Sequence, residues 1–371
     1  MKILFIISDF ASGGAEKIVE TLIRYLDANG NEVTLAVFNA VESSNLRHRM
    51  PEKCAVISFK KDKRSQVSFL NLFRGFLRSS GQYDIIIANL QPVAFYLGLL
   101  LNVIRCPVVY IIHNDYSLLS NPLKRIVLRR FYNSPGVTLV SVSNQIAVSF
   151  YQKHRTKPVV IDNGIRPPEV TSRLAEVKAE IDSLRPDSST LVFAAIQRLT
   201  WFKNLPALAE AFKRVHKSGH NAILILIGDD PLEGKPEEGR IRAVGAPNVF
   251  LLGHRENVAD YLSLADCFCI VSSAFEGAPV ALLEAISAGL PVIGTRTGGI
   301  PSVISDPDNG ILCDPTVESI TGALTRFIDM PVPEKKRTGE ANRQLFEARY
   351  TETTMARQYT DLISRLTSEG R

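Results

Sequence analysis

Short runs of apolar residues alternate with amphipathic stretches from one end of this chain to the other. Lys2–Ile7, Val33–Phe38, Asp84–Asn89, Val108–His113, Thr138–Val142 and Pro158–Ile161 read as buried strands. Helical periodicity falls between several of them, at Ala15–Ala28, Gln66–Arg78, Ala94–Val103, Leu123–Tyr132 and Gln145–Lys153. Unbroken Val, Ile and Leu runs, rather than alternation, mark strands covered on both faces. Strand–helix–strand repetition predicts a parallel, doubly wound α/β sheet.

The pattern then starts again. Asn163-Gly164 is a turn signal, and Arg166-Pro167-Pro168 cannot continue a helix. After the polar stretch Glu169–Ser189, strands are expected at Thr190–Ile196, Ala222–Ile227, Val249–Leu252, Cys267–Val271 and Pro291–Gly294. Helices fit Pro206–Ser218, Val258–Ala265, Val280–Ala288 and Glu318–Asp329. A length of 371 residues also suits about two domains. The expected division is 1–168, 169–350 and a C-terminal helix, 351–371, folding back on the first domain; helical pattern covers roughly Glu334–Leu366. Two such domains facing each other would enclose a cleft at the carboxyl ends of their strands, where open α/β sheets bind ligands.

Charge divides the two halves. Residues 1–170 carry 21 Lys and Arg against 12 Asp and Glu, whereas residues 171–371 carry 22 against 26. The overall net charge of +5 is too mild for a dedicated nucleic-acid binder, but the asymmetry predicts different tasks for the halves. The five cysteines show no C-x-x-C pattern, and buried thiols in a reducing compartment are expected. No apolar run is long enough for a signal-peptide core or a membrane span, which points to a cytoplasmic chain.

The loops after the strands are therefore where chemistry is to be sought. Gly13 and Gly14 follow the first strand, where glycines admit a ligand to the backbone at a helix N-terminus or simply make a tight turn. The dinucleotide fingerprint G-x-G-x-x-G is missing. His113 ends a strand and could donate a hydrogen bond to a sugar hydroxyl, or be structural. Arg198 and Lys203 could give two positive charges to a diphosphate, or lie in a solvated loop. In Ser273-Ala-Phe-Glu-Gly-Ala-Pro-Val-Ala-Leu-Leu-Glu284, Pro279 suits a first helical turn. The Val280 and Ala281 amides would then be unpaired beside Glu276 and Glu284, which could hold hydroxyls or be a capping carboxylate and a solvated Glu. Gly298 and Gly299 repeat the strand–glycine–helix arrangement, and Asp306-x-Asp308 reads as a turn rather than a metal site.

Together these residues resemble the family 4 retaining glycosyltransferases of the GT-B fold. The resemblance rests on Gly13-Gly14-Ala15-Glu16, His113, Ser143, Asn163-Gly164, Arg198 with Lys203, Gly228, Leu252-Gly253 and Glu276-Gly277-x-Pro279 with Glu284. It implies donor binding by Gly14, Arg198, Lys203, Gly228, Leu252, Glu276, Gly277, Val280, Ala281 and Glu284. Glu276 would hold sugar hydroxyls, Glu284 the ribose, and the Val280 and Ala281 amides a phosphate. His113, Glu276, Arg198 and Lys203 would form the catalytic set, with His113 facing the transferred sugar. Gln197 departs from the family, where glycine often precedes the arginine.

The implied reaction moves a sugar from a nucleotide diphosphate, UDP foremost, to a lipid-linked or oligosaccharide acceptor in polysaccharide assembly. No metal is expected, because cations and helix N-termini can neutralise the leaving diphosphate. An epimerase using Asp9 and Asp115, or a non-catalytic nucleotide-sugar binder, are the competing readings. Two basic groups, Lys60, Lys61, Lys63 and Arg64, then Lys124, Arg125, Arg129 and Arg130, suggest attachment to the anionic inner face of the cytoplasmic membrane. Phe69, Leu70, Leu72, Phe73, Phe76 and Leu77 could add apolar surface to it, although some must pack in the core.

Overall fold

The structure is a computed structural model that describes residues 1–10, 13–39, 49–114, 121–274 and 276–369. Asp115 and Phe275 lie outside the described residues. The chain divides into a unit of residues 1–165 with 352–371 and a second unit of residues 166–351.

The first unit runs β1 (Lys2–Ile7), α1 (Gly14–Ala28), β2 (Glu32–Val37), β3 (Ala55–Ser58), α2 (Gln66–Arg78), β4 (Ile85–Asn89), α3 (Gln91–Leu99), β5 (Val108–Ile112), α4 (Pro122–Tyr132), β6 (Val137–Ser141), α5 (Asn144–His154) and β7 (Val159–Val160). Its strands order as β3-β2-β1-β4-β5-β6-β7, with every described pair parallel. Ile85, Ile86 and Ile87 of β4 are wholly buried, as a strand covered on both faces requires. On one face Phe38 meets Phe69, Phe73 and Tyr96 edge-on, with ring centroids 4.9, 4.9 and 5.6 Å apart. Aromatic pairs in this geometry are worth about 0.5–1.5 kcal/mol beyond burial. Phe69, Phe73 and Leu77 are therefore core residues rather than surface, and of that apolar group Leu72 is the exposed one at 43%.

The second unit runs α6 (Leu174–Leu184), β8 (Leu191–Ile196), α7 (Leu205–Lys217), β9 (Ala222–Ile227), α8 (Pro236–Ala243), β10 (Val249–Gly253), α9 (Val258–Leu264), β11 (Cys267–Ile270), α10 (Val280–Ser287), β12 (Val292–Thr295), β13 (Gly310–Cys313), α11 (Val317–Ile328) and α12 (Val332–Arg349). Its sheet orders as β10-β9-β8-β11-β12-β13, again parallel in every described pair. Phe193, Phe212 and Phe327 pack edge-to-face at its centre. Cys267 and Cys269 are buried within β11, and burial raises the Cys267 thiol well above its ordinary range.

Several elements depart from the sequence reading. The polar stretch 169–189 contains α6, whose buried stripe is only Val177 and Ile181, one helical turn apart. The short edge strands β3 and β13, and α8, were not anticipated. The helix expected at Ala94–Val103 begins earlier, at Gln91, and yields to a 3-10 turn at Leu101–Val103. The C-terminal helical segment is two helices, α12 and α13 (Glu352–Glu369). They break at Tyr350-Thr351, where buried Tyr350 donates its hydroxyl to the Ser302 carbonyl (3.2 Å). α13 packs on α1, and its first amide, Glu352, donates to the Ile165 carbonyl (2.9 Å). Among the described residues no helix is long and apolar enough to cross a membrane.

Candidate active site

In the second unit, three carboxyl-end loops converge on Glu276. β11 ends at Ile270, and the chain passes Ser272 before turning into α10. The loop after β8 makes a 3-10 turn at Trp201–Lys203 and lies alongside. The Ser273 amide donates to the Phe202 carbonyl at 2.7 Å. This seam brings Lys203 Nζ to 2.6 Å from Glu276 Oε2. The Ser272 hydroxyl donates to the same oxygen at 2.5 Å. The ion pair is largely buried, with side-chain exposures of 14% for Lys203 and 8% for Glu276. Lys203 Nζ also lies 5.5 Å from the Phe202 ring centroid.

The third loop fixes the Glu276 backbone. The Gly299 amide donates to the Glu276 carbonyl at 3.0 Å. Gly298 sits at φ +55°, and a methyl there would overlap that carbonyl oxygen. Glycine serves both needs at once. The segment after Gly299 is a single 3-10 turn, Ile300–Ser302, not the expected α-helix. Thr295, at the end of β12, donates to the Ser272 carbonyl at 2.7 Å and completes the brace.

α10 starts at Val280, with Pro279 as its N-cap at φ −68° and ψ 120°. Pro279 therefore stands one residue ahead of the first turn in which the sequence placed it. The Leu282 and Leu283 amides reach the Pro279 carbonyl. The Val280 and Ala281 amides lie in the first turn, where the helix itself offers no acceptor. Glu284 is buried on α10, one turn further along. Arg198 is exposed at the end of β8 and forms no ion pair among the described residues. Lys203 is paired with Glu276, while Arg198 stands open.

Two glycines shape the neighbouring strand ends. Gly228 closes β9 at φ +143°, and a methyl there would overlap the Gln197 carbonyl. Leu252 is the residue skipped where the β9–β10 register shifts, and the Gly228 amide donates to the Gly253 carbonyl at 2.9 Å. Gln197 follows the ladder, donating its amide to Ile227 (2.9 Å). Its carboxamide is buried, and neither atom has a hydrogen-bond partner among the described residues. Gly277 is buried beside Glu276.

In the first unit, His113 stands just beyond β5 and is buried to 7% exposure. Its Nε2 lies 2.9 Å from Asn89 Oδ1 at the end of the adjacent strand β4. The Asn89 amide nitrogen faces the Ile6 and Ile87 carbonyls, so its oxygen is the atom left to accept from the ring. Burial lowers the His113 pKa to about 4. The imidazole is therefore neutral at pH 7, with its proton on Nε2 and a lone pair on Nδ1. That tautomer leaves Nδ1 as an acceptor. Asn89, Ser272 and Thr295 escaped the sequence reading. The polar ends of the apolar runs that became β4, β11 and β12 were the signals available. At the other loop of this unit, Gly14 opens α1 and is exposed. Gly13 leaves room for the Glu16 carboxylate, which folds back over the helix start.

The basic groups are more mixed than a uniform patch. Lys60, Lys63, Arg64, Lys124, Arg125, Arg129 and Arg130 are exposed, but Lys61 is half-buried against the Phe69 and Tyr96 rings. Around α4 the exposed cations flank Leu123 and Ile126, exposed at 62% and 67%.

Comparisons with known proteins agree with this layout. N-acetyl-alpha-D-glucosaminyl L-malate synthase of Bacillus anthracis is 30% identical over 42% of this chain and 41% of its own length. The UDP-Gal:alpha-D-GlcNAc-diphosphoundecaprenol alpha-1,3-galactosyltransferase of Escherichia coli is 24% identical over 76% of this chain and 74% of its own. The chain thus spans less than half the length of some curated relatives that it matches. The crystal structure of Anabaena Alr3699/HepE with UDP-glucose superposes with a TM-score of 0.81 at 20% identity, over 99% of this chain and 100% of that one, and shows the same fold. Residues 12–168 match the family described as Glycosyltransferase Family 4, and residues 176–345 match Glycosyl transferases group 1. Each unit carries one half of the GT-B architecture, and the chain belongs to the family 4 glycosyltransferases.

Proposed function

We propose that this protein transfers a hexose or N-acetylhexosamine from a UDP-sugar to a lipid-linked glycan acceptor, with retention of anomeric configuration and without a divalent metal. The observation that carries this reading is the buried Lys203–Glu276 pair at the start of α10, with Arg198 open on the adjoining loop. The names of two relatives support it: one acts from UDP-Gal on a diphosphoundecaprenol-linked sugar, the other makes an N-acetylglucosaminyl malate. A structural neighbour binds UDP-glucose.

Breaking the anomeric C–O bond leaves negative charge on the nucleotide diphosphate. Arg198, Lys203 and the Val280 and Ala281 amides would receive it, in a site whose groups are already oriented. Gly228, Leu252 and Gly277 would let the donor approach the backbone. Glu284 would hold the ribose and Gly14 would lie near the diphosphate. Glu276 would position the sugar hydroxyls. Its Oε2 already accepts from Lys203 and Ser272, which makes it a poor nucleophile. Same-face attack by the acceptor hydroxyl therefore suits the site, its proton passing to the departing phosphate oxygen. Neutral His113 would accept from a hydroxyl of the transferred sugar.

The acceptor reading adds the basic face. Lys60, Lys63, Arg64, Lys124, Arg125, Arg129 and Arg130 would hold the protein peripherally on the inner leaflet of the cytoplasmic membrane, at about 1 kcal/mol per cation near the surface. The protein would act there in cell-surface polysaccharide assembly. Incubating it with a panel of nucleotide sugars in EDTA, and following donor turnover, tests the core of the proposal. Turnover of a UDP-sugar in EDTA supports it. Binding without turnover, epimer formation, or a strict Mg²⁺ or Mn²⁺ requirement would count against it.

A further inference from the structure

One lysine from each basic group lines the same cavity. It lies wholly within the first unit, has a volume of about 390 Å³, and is bounded chiefly by Lys61, Gln66, Gln91, Phe95, Tyr96 and Lys124. That volume falls among small-molecule sites, which span about 300–1,000 Å³. Among the described residues its lining has two ammonium groups and two carboxamides and no carboxylate. Neither lysine forms an ion pair among the described residues. Lys61 is set rather than free, its Nζ lying 5.9 Å from the Phe69 ring centroid and 5.7 Å from that of Tyr96.

One lining residue stands two positions along the chain from the residue that holds His113. Asn89 holds His113, and Gln91 lines the cavity. Between them Leu90 has φ +71°, a backbone conformation that strains a non-glycine residue. That strain is kept where one turn aims Asn89 at the imidazole and Gln91 at the cavity. On the outside of α4, Leu123 and Ile126 are exposed beside the cations.

We propose that this cavity takes the diphosphate of the acceptor, Lys61 and Lys124 matching its charge and the outer turn of α4 meeting its apolar chain. The inference rests on the glycosyltransferase reading for the word acceptor; the anion site stands on the cavity. A phosphoryl oxygen bound by an ammonium forms a charge-assisted hydrogen bond, so losing one should weaken binding about tenfold or more.

The test titrates inorganic pyrophosphate by calorimetry in saturating UDP, which occupies any second diphosphate site. Wild type, Lys124→Gln and Lys61→Gln/Lys124→Gln are compared. Lys124 is exposed, so its single variant keeps the fold even if the loss of Lys61 disturbs the aromatic cluster. Stepwise loss of affinity in the variants is expected, with UDP affinity retained. Equal pyrophosphate affinity in wild type and both variants would overturn the site. Flotation with phosphatidylcholine vesicles, with and without phosphatidic acid, distinguishes the source of the phosphate. Attachment that needs phosphatidic acid, falls in the variants and is competed by pyrophosphate supports a lipid-borne group. Pyrophosphate binding with no such vesicle dependence would overturn the lipid acceptor and leave a site for free diphosphate. A protein that turns over UDP-sugar but binds no pyrophosphate loses this inference alone; the opposite result removes the transferase reading instead.

Discussion

The two units are wound alike but spend their charges differently. Six strands of the first sheet, β3-β2-β1-β4-β5-β6, follow the same order as β10-β9-β8-β11-β12-β13 of the second. At the carboxyl edge of the second, Lys203 and Glu276 neutralise each other in a buried, braced pair. At the corresponding edge of the first, a neutral histidine is held by an amide, and Lys61 and Lys124 line a cavity that has no carboxylate among the described residues. The difference teaches that the shared backbone decides only where ligands can sit. A buried ion pair holds its own groups in place, whereas Lys61 and Lys124 face no described carboxylate across their cavity.

The sharpest way to break this contrast is Lys203→Ala. Removing one partner strands a buried carboxylate, which costs about 3–5 kcal/mol. A large fall in thermal stability and in UDP affinity is expected by calorimetry. A variant as stable as wild type, with unchanged UDP affinity, would show that the pair braces nothing. Losing the interaction with the leaving charge should also slow turnover by about 10²–10³.

Gly298→Ala tests the brace from the backbone side. The left-handed φ and the overlap with the Glu276 carbonyl predict displacement of Glu276 and a loss of stability above 1 kcal/mol. Glu276→Ala should then reduce kcat more than Glu284→Ala, because only Glu276 is assigned to the transferred sugar. Steady-state kinetics showing the reverse order would exchange those two roles.

In the first unit the informative measurement is pH. His113 has its ordinary value of 6.5 when unfolded and about 4 when folded, so the unfolded chain binds the extra proton between them. Stability is full above pH 6.5 and falls as the pH drops towards 4, by roughly 3 kcal/mol in all. His113→Gln should lose that slope in acid denaturation curves. Asn89→Asp should raise the His113 pKa by placing a carboxylate against the ring, visible in its imidazole NMR titration. An unmoved titration would mean that Asn89 does not set the tautomer. The smallest effect belongs to Arg129→Ser/Arg130→Ser. It should leave melting unchanged and weaken binding to anionic vesicles by about 1 kcal/mol per charge at low salt. Attachment equal to wild type would remove those residues from the membrane face.

Much of this was legible in the primary structure. Strands such as Lys2–Ile7 and Ala222–Ile227 appear where their apolar runs stand, because a strand covered on both faces must be apolar at every position. α6 was not legible, since two buried residues on an otherwise charged helix make too narrow a stripe for periodicity to reveal. The Lys203–Glu276 partnership was not legible either, as its members are 73 residues apart and meet only because β8 and β11 are neighbours in the sheet.

The sequence by itself determined the two parallel sheets, the loops in which functional side chains stand and the basic bias of the first half, because these follow from local composition and period. Tertiary structure alone decided which charges are spent on each other. It paired Lys203 with Glu276, set the His113 proton on Nε2 by placing Asn89 beside it, and turned Lys61 inward to share a cavity with Lys124. Ion pairing, tautomer and desolvation depend on distances between residues remote in the chain, and strand order is what sets those distances.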